Sequence, residues 1–308
     1  MMNNKKFTGS FCLTLAALLW GSTFVAQEAN TVGAFTFQGV RSIVGSAFLL
    51  AVIGIITAFK KAKGTYVKPT KADNKNLLVG GVACGLVLCL SMNLQQIGIS
   101  LGSEAGKAGF ITAMYILLVP VYGLFARKKV GVRIWGCIAL AVVGLFMLCI
   151  DFFSFGNGGM GIGIGDFFVI LCAFSFALHI IVVDKFVAVV DGVKLSFMQF
   201  VVAGLISCVL MFIFEQPTVE GIVQGAFPIL YAGICSSGIA YTLQIVGQKN
   251  TPPVIASLLM SLESVFAVLS QIVVLGRLPS SQEAAGCVIM FAAIIIAQLP
   301  DRKAKANV

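Results

Sequence analysis

Apolar blocks close to twenty residues long recur along this chain, as in Leu77 to Ile99 and Val132 to Ile150. About twenty such residues are what a helix needs to cross the roughly 30 Å hydrocarbon layer of a bilayer. Read between their polar breaks, the blocks predict ten spans, near 8–26, 34–58, 77–99, 105–125, 132–150, 166–184, 195–214, 222–246, 253–275 and 283–299. Composition agrees: 59% of the 308 residues are hydrophobic and 11% charged, with a mean hydropathy of +1.01, whereas a soluble domain is about one quarter charged. The first span follows Lys5 and Lys6 as a secretory signal would. No small-residue cleavage site clearly follows it and nine further spans do, so it reads as a retained helix.

The net charge of +9 raises the question of nucleic acid, and the placement of the charge answers it. With the N-terminus inside, the cytoplasmic set is Lys5, Lys6, Lys60, Lys61, Lys63, Lys68, Lys71, Lys75, Arg127, Lys128, Lys129, Arg133, Lys185, Lys194, Lys249, Arg302, Lys303 and Lys305. Of the 21 Lys and Arg residues, only Arg277 then falls in an outer loop, while Arg41 and Lys107 lie within predicted helices. Positive charge concentrated in inner loops orients a membrane protein. The expected topology is therefore an all-α integral membrane protein with both termini cytoplasmic, in the cytoplasmic (inner) membrane of a bacterium. Membrane lipid is an implied partner and nucleic acid is not.

All nine cysteines fall within spans, without a C-x-x-C pair, so they read as small packing residues rather than as disulfides or metal ligands. No cofactor and no metal is implied.

A glycine-rich stretch from Gly156 to Gly165 divides the chain nearly in half. It lacks the strand before it and the Gly-Lys-Ser/Thr after it that a phosphate loop requires, so it reads as an outer linker with Asp166 as a helix cap. The predicted organisation is a five-helix unit over 8–150, the linker over 151–165, a second five-helix unit over 166–299 and a basic cytoplasmic tail over 300–308. Short matches relate the units: Leu18 to Ser22 with Phe174 to Leu178, and Leu118 to Gly123 with Leu262 to Ala267. Because five is odd, two repeats of this size must be inverted relative to each other. Inverted repeats are a recurrent plan of alternating-access carriers with a site near the bilayer midplane.

Several segments carry a family resemblance. They are Ala16 to Phe24, Leu94 to Gly98, Ala105 to Thr112, Ala177 to Ile180, Ala240 to Lys249 and Ser261 to Ala267. With these, the chain resembles the EamA-type members of the drug/metabolite transporter superfamily along roughly residues 10 to 299. The resemblance implies solute transport, with amino acids, drugs, nucleotide sugars and sugar phosphates all among the superfamily's cargoes. The chain departs from the pattern at Ser264, where the family often has proline, and at Arg277, where it often has glutamate. The missing proline predicts that the ninth helix lacks a kink.

Polar residues within spans are the candidates for the site, because hydrocarbon tolerates them only when paired or facing a watery cavity. Glu263 stands near the midplane of helix nine and could hold and release a proton; His179, the only histidine, is a second coupling candidate. Asn93 and Gln96 share a helix face, with Gln95 expected to point elsewhere. Ser237, Tyr241, Gln244 and Gln248 form a polar stripe on helix eight. Trp20, Thr23 and Gln27 on helix one, and Thr112 and Tyr115 on helix four, complete the predicted cavity lining. Arg41 could contact an anionic group of the cargo. For each of these residues, helix-to-helix hydrogen bonding is the competing reading.

No Gly-x-x-x-x-Gly-Lys-Ser/Thr motif is present to bind ATP, which favours a secondary carrier, with a small-molecule solute as partner. Efflux is the first expectation, and organic-anion uptake or exchange the second. A membrane-embedded enzyme would want Gly-x-Ser-x-Gly or His-Glu-x-x-His; neither occurs, and no catalytic residue is assigned. A passive channel and a homodimeric assembly stay open.

Overall fold

The computed structural model describes residues 2–28, 30–103, 105–125, 130–149, 163–276 and 278–299. Residues 151–162 of the linker, Arg127, Lys128, Lys129, Arg277 and the tail from 300 lie outside the described residues, as does the side chain of Lys107. The described residues are mostly helical and contain no strand.

The ten expected spans correspond to α1 (Met2–Glu28), α2 (Ala34–Ala62), α3 (Lys71–Ser100), α4 (Ala105–Ala113 and Tyr115–Phe125), α5 (Val132–Cys149), α6 (Ile164–Phe186), α7 (Gly192–Phe214), α8 (Ala226–Tyr231, Ala232–Ala240 and Tyr241–Gln248), α9 (Pro253–Met260 and Glu263–Leu275) and α10 (Ser281–Gln298). Among the described residues nine of these are long and apolar enough to cross a membrane; the tenth, α5, has a shorter apolar stretch from Val132 to Met147. Helices α1 and α3 run further at their N-termini than their apolar blocks. Thr70 and Asp73 cap each other's backbone N–H groups at the start of α3, letting that helix begin in the polar segment before the block.

The start of α2 is held from the far half of the chain. Glu215, just beyond α7, accepts hydrogen bonds from the backbone N–H groups of Phe35 (2.9 Å) and Thr36 (2.8 Å) and from the Thr36 hydroxyl (2.6 Å). A carboxylate here satisfies orphan donors and meets the positive end of the helix dipole.

Three helices are irregular. In α4 the turn tightens at Met114, between the two segments, where Met114 and Leu117 donate to carbonyls three residues back. In α9 it tightens at Ser261–Leu262, where Leu262 and Ser264 donate to carbonyls three residues back. No proline stands at Ser264, and α9 is interrupted instead by these local hydrogen bonds at Ser261–Leu262. In α8 the segment Ala232–Ala240 is a π-helix, which ends with the Tyr241 N–H donating to the Ser236 carbonyl.

Packing pairs match across the halves. Helix α2 packs on α7, and α5 on α10; α3 meets α6 as α8 meets α1; α3 meets α7 as α8 meets α2; α4 meets α6 as α9 meets α1. Glycines set two of these crossings. A Cβ at Gly98 would lie 2.7 Å from the Gly165 carbonyl oxygen, and one at Gly247 2.9 Å from that of Gly9. Small residues at such points let helix backbones approach closely.

Gly165→Ala would place its methyl 2.5 Å from the Gly98 carbonyl oxygen and 2.9 Å from the Ser103 amide nitrogen, both backbone atoms. We expect it to destabilise the fold by about 1–3 kcal/mol, read as thermal unfolding in detergent. Gly54→Ala, whose methyl meets nothing within 4 Å, should not. Equal midpoints for the two variants would disprove the tight α3–α6 crossing.

Candidate functional site

The three irregular helices converge on one cavity, with an empty volume of about 540 Å³. Its first-half walls are Trp20, Thr23, Phe24 and Gln27 from α1, Arg41 from α2, Gln95 from α3, and Thr112 and Tyr115 from α4. The second half supplies Phe176 and Ile180 from α6, Ser236, Tyr241 and Gln244 from α8, and Met260 and Glu263 from α9.

Local sequence explains how these side chains reach the cavity. Gly21 brings α1 against α9, since a Cβ there would lie 2.6 Å from the Glu263 carbonyl oxygen and from the Ala267 amide nitrogen. Trp20 is thereby set beside Tyr241, ring centroids 4.8 Å apart at 65°. Tyr241 is also met edge-on by Phe200 at 5.2 Å and by the His179 ring at 6.2 Å. Such edge-to-face contacts fix an aromatic ring in one orientation. Glu263 opens the second segment of α9 directly after the break, where its Oε1 accepts a hydrogen bond from the Tyr115 hydroxyl at 3.2 Å. Gln95 donates to Thr112 at 3.2 Å, tying α3 to the first segment of α4.

Arg41 is the most exceptional member. It is 2% exposed, yet its Nε and Nη1 have no hydrogen-bond partner. Its guanidinium lies 5.5 Å from the centre of the Phe37 ring, and no ion pair joins it to Glu263. The Trp20 indole N–H and the Gln244 Oε1 are likewise buried without partners. Buried polar groups are hydrogen-bonded in the great majority of cases. A cavity lined by orphan donors, an orphan acceptor and a carboxyl can therefore receive a polar solute that completes these bonds.

Of the residues singled out from sequence, Trp20, Thr23, Gln27, Arg41, Thr112, Tyr115, Tyr241, Gln244 and Glu263 line this cavity. Asn93, Gln96, Ser237 and His179 do not. Asn93 faces α7, donating to Ser207 at 2.8 Å and to the Cys89 carbonyl at 2.8 Å. Gln96 is buried outside the lining, and Gln95, expected to point elsewhere, takes its place. Ser237 packs against α2, where a Cβ at Gly45 would come within 2.6 Å of it. The π-helix explains the exchange: its wider turn puts Ser236, five residues before Tyr241, on the cavity face. His179 stands behind Tyr241, fully buried, its Nε2 3.1 Å from Gln199 Oε1. Gln248, the last of the helix-eight stripe, donates to the Ile180 carbonyl at 3.1 Å. Asp166 stands three residues into α6 rather than at its cap position, accepting from the Gly163 N–H and the Ser103 hydroxyl.

Sequence reasoning missed Phe24, Phe176, Ile180, Ser236 and Met260. The apolar members carry no polar signal inside an apolar span. Phe176 was reachable through the repeat, since the match of Leu18–Ser22 with Phe174–Leu178 pairs it with Trp20. Among the described residues no group of three His, Cys, Asp or Glu side chains could hold a metal ion.

Residues 163–298 match the EamA-like transporter family. A protein of the archaeon Archaeoglobus fulgidus, named an uncharacterized transporter, is 26% identical over 298 residues, spanning 96% of this chain and 87% of that protein. A crystal structure of a protein 18% identical superposes with a TM-score of 0.75 over 96% of this chain and 98% of that one, a likeness of fold.

If Arg41 is retained for a ligand rather than for folding, replacing it should not harm stability. We expect Arg41→Met to leave the unfolding midpoint unchanged or to raise stability by about 0.5–2 kcal/mol, as apolar replacements at functional sites often do. A loss of stability in the same thermal assay would make Arg41 a structural residue.

Proposed function

We propose that this membrane protein is an EamA-type transporter of the drug/metabolite transporter superfamily, a secondary carrier that exports a small metabolite or drug-like solute by alternating access; the match of its second half to the EamA-like transporter family supports the reading. The cavity carries this reading. It is built from both halves of the chain and holds one buried cation, Arg41, and one buried carboxyl, Glu263, with unsatisfied donors between aromatic walls.

The matched packing pairs support two inverted five-helix repeats. Exchanging α1 with α6, α2 with α7, α3 with α8, α4 with α9 and α5 with α10 turns each principal helix pair into another of the set. With five helices per repeat, that exchange requires an axis in the membrane plane, and a cavity on it is reachable from either side when one bundle rocks against the other. The skewed basic charge supports cytoplasmic termini in a bacterial inner membrane.

Within this reading Arg41 receives an anionic group of the cargo by charge-assisted hydrogen bonds, for which its free Nε and Nη1 provide donors. Trp20, Tyr115 and Tyr241 enclose the cargo's body. Glu263, bonded to Tyr115, carries the coupling proton. The orphan donors of Arg41 also favour a second reading, an importer or exchanger of an organic anion, which uses the same pocket with the opposite net flux.

Purified protein in vesicles enclosing a pH-sensitive dye tests both. Organic acids, amino acids and nucleosides are added in turn, and solute uptake is followed with proton flux. Glu263→Gln should reduce gradient-driven transport by about tenfold or more while solute binding persists. Unchanged pH-driven transport in that variant would refute coupling through Glu263, and the sign of the proton movement distinguishes export from import.

A further inference from the structure

A second cavity, of about 650 Å³, lies far from the first, where the end of α2 meets the start of α7. Its polar rim is made by Lys60 and Lys194, with Asp191 and Thr65; its walls are apolar, including Ile53, Ile56 and Val193. Gly64, at φ +64°, turns the chain so that the Thr65 N–H bonds back to the Lys60 carbonyl at 2.9 Å. That turn folds Tyr66 and Val67 onto the groove, and the Lys61 ammonium lies 5.4 Å from the centre of the Tyr66 ring.

The charge around this groove is one-sided. Between Lys60 and Lys75 there are six lysines and one acid, Asp73. The two nearby acids are committed to helix starts: Asp73 caps α3 with Thr70, and Asp191 accepts from the Lys194 N–H at 3.1 Å to cap α7. Among the described residues no salt bridge holds Lys60 or Lys194, although the charge of Lys194 also acts on Asp73. Below the rim, the apolar wall continues into the exposed face of α2, where Leu50, Ile55, Ile56 and Phe59 project outward.

We propose that this groove binds the headgroup of an anionic phospholipid, Lys60 and Lys194 holding the phosphate and the apolar wall taking the first carbons of an acyl chain. A cationic rim above an apolar wall, at the edge of the transmembrane region, matches the two parts of such a lipid. A soluble phosphate would use the rim alone and leave the wall uncovered. Lys60 belongs to the first half of the chain and Lys194 to the second, so the lipid fastens the halves together. The inference rests on the transmembrane reading of the chain and is independent of the cargo cavity.

Thermal unfolding of the detergent-purified protein provides the test, with dioleoylphosphatidylglycerol, dioleoylphosphatidylcholine or sodium phosphate added. A ligand that binds the folded state raises its midpoint. Phosphatidylglycerol should raise it by about 3 °C or more, and phosphatidylcholine and phosphate should not. The double variant Lys60→Gln/Lys194→Gln should lose most of that shift. The control Lys63→Gln/Lys68→Gln, with the same loss of charge outside the groove lining, should keep it. If the double variant does not fold, Lys194→Gln alone must lose about half the shift. Equal shifts for the two lipids, a shift produced by phosphate alone, or loss of the shift in the control would each overturn the proposal.

Discussion

Hydrocarbon offers the backbone no hydrogen-bond partner, so every departure from a regular helix inside a membrane must be answered by protein or by a watery cavity. This constraint organises the molecule. Seven of its ten spans run as unbroken helices, and the three that do not, α4, α8 and α9, turn irregular around one cavity. Tyr115 follows the tightened turn of α4, Glu263 follows the break in α9, and Ser236 and Tyr241 lie within and just after the π-helix of α8. Irregular backbone and buried polar side chains occupy the same place because only there is either tolerated.

The same logic explains the distribution of charge. Buried ionisable groups cost several kcal/mol unless paired, and Arg41 and Glu263 are both buried without an ion pair between them. Tyr115 answers part of the demand of Glu263. Arg41 has only the face of Phe37, a contact worth about 0.5–2 kcal/mol. The remainder of its cost is offset by apolar burial elsewhere in the fold, such as the cluster that includes Ile116, Ile138, Leu145, Leu259 and Met290. A site that is expensive when empty is one that a complementary solute can stabilise.

The helical spans and most polar cavity residues were legible in the sequence, because apolar length and polar interruption are one-dimensional signals. What escaped it depends on rotation about a helix axis. Gln95 and Gln96 differ by about 100° on α3, and only the packing of α3 against α4, α6 and α7 decides which faces inward. The stripe at 237, 241, 244 and 248 assumed a uniform turn, which the π-helix breaks, so that Ser236 replaces Ser237 at the cavity. The break in α9 was hidden for the opposite reason. Proline is a visible cause of kinks, whereas the hydrogen bonds at Ser261, Leu262 and Ser264 leave no pattern in the sequence.

The two glycine crossings bound what can move. Gly98 and Gly165 meet where α3 ends and α6 begins; Gly9 and Gly247 meet where α1 begins and α8 ends. Since α1, α2 and α3 alternate in direction, these crossings lie at opposite ends of the bundle, with the cavity between them. Each brings backbone close to backbone with a side chain seated on the glycine, Val169 on Gly98 and Leu13 on Gly247. At the first, Ser103 bonds to Asp166 beside the crossing; at the second, a Cβ on Gly9 would strike Thr251 at 2.6 Å. Parting one crossing while the other holds would open the cavity toward one side only. On the proposed reading of two inverted five-helix repeats, one packing solution would supply both closures, as alternating access needs.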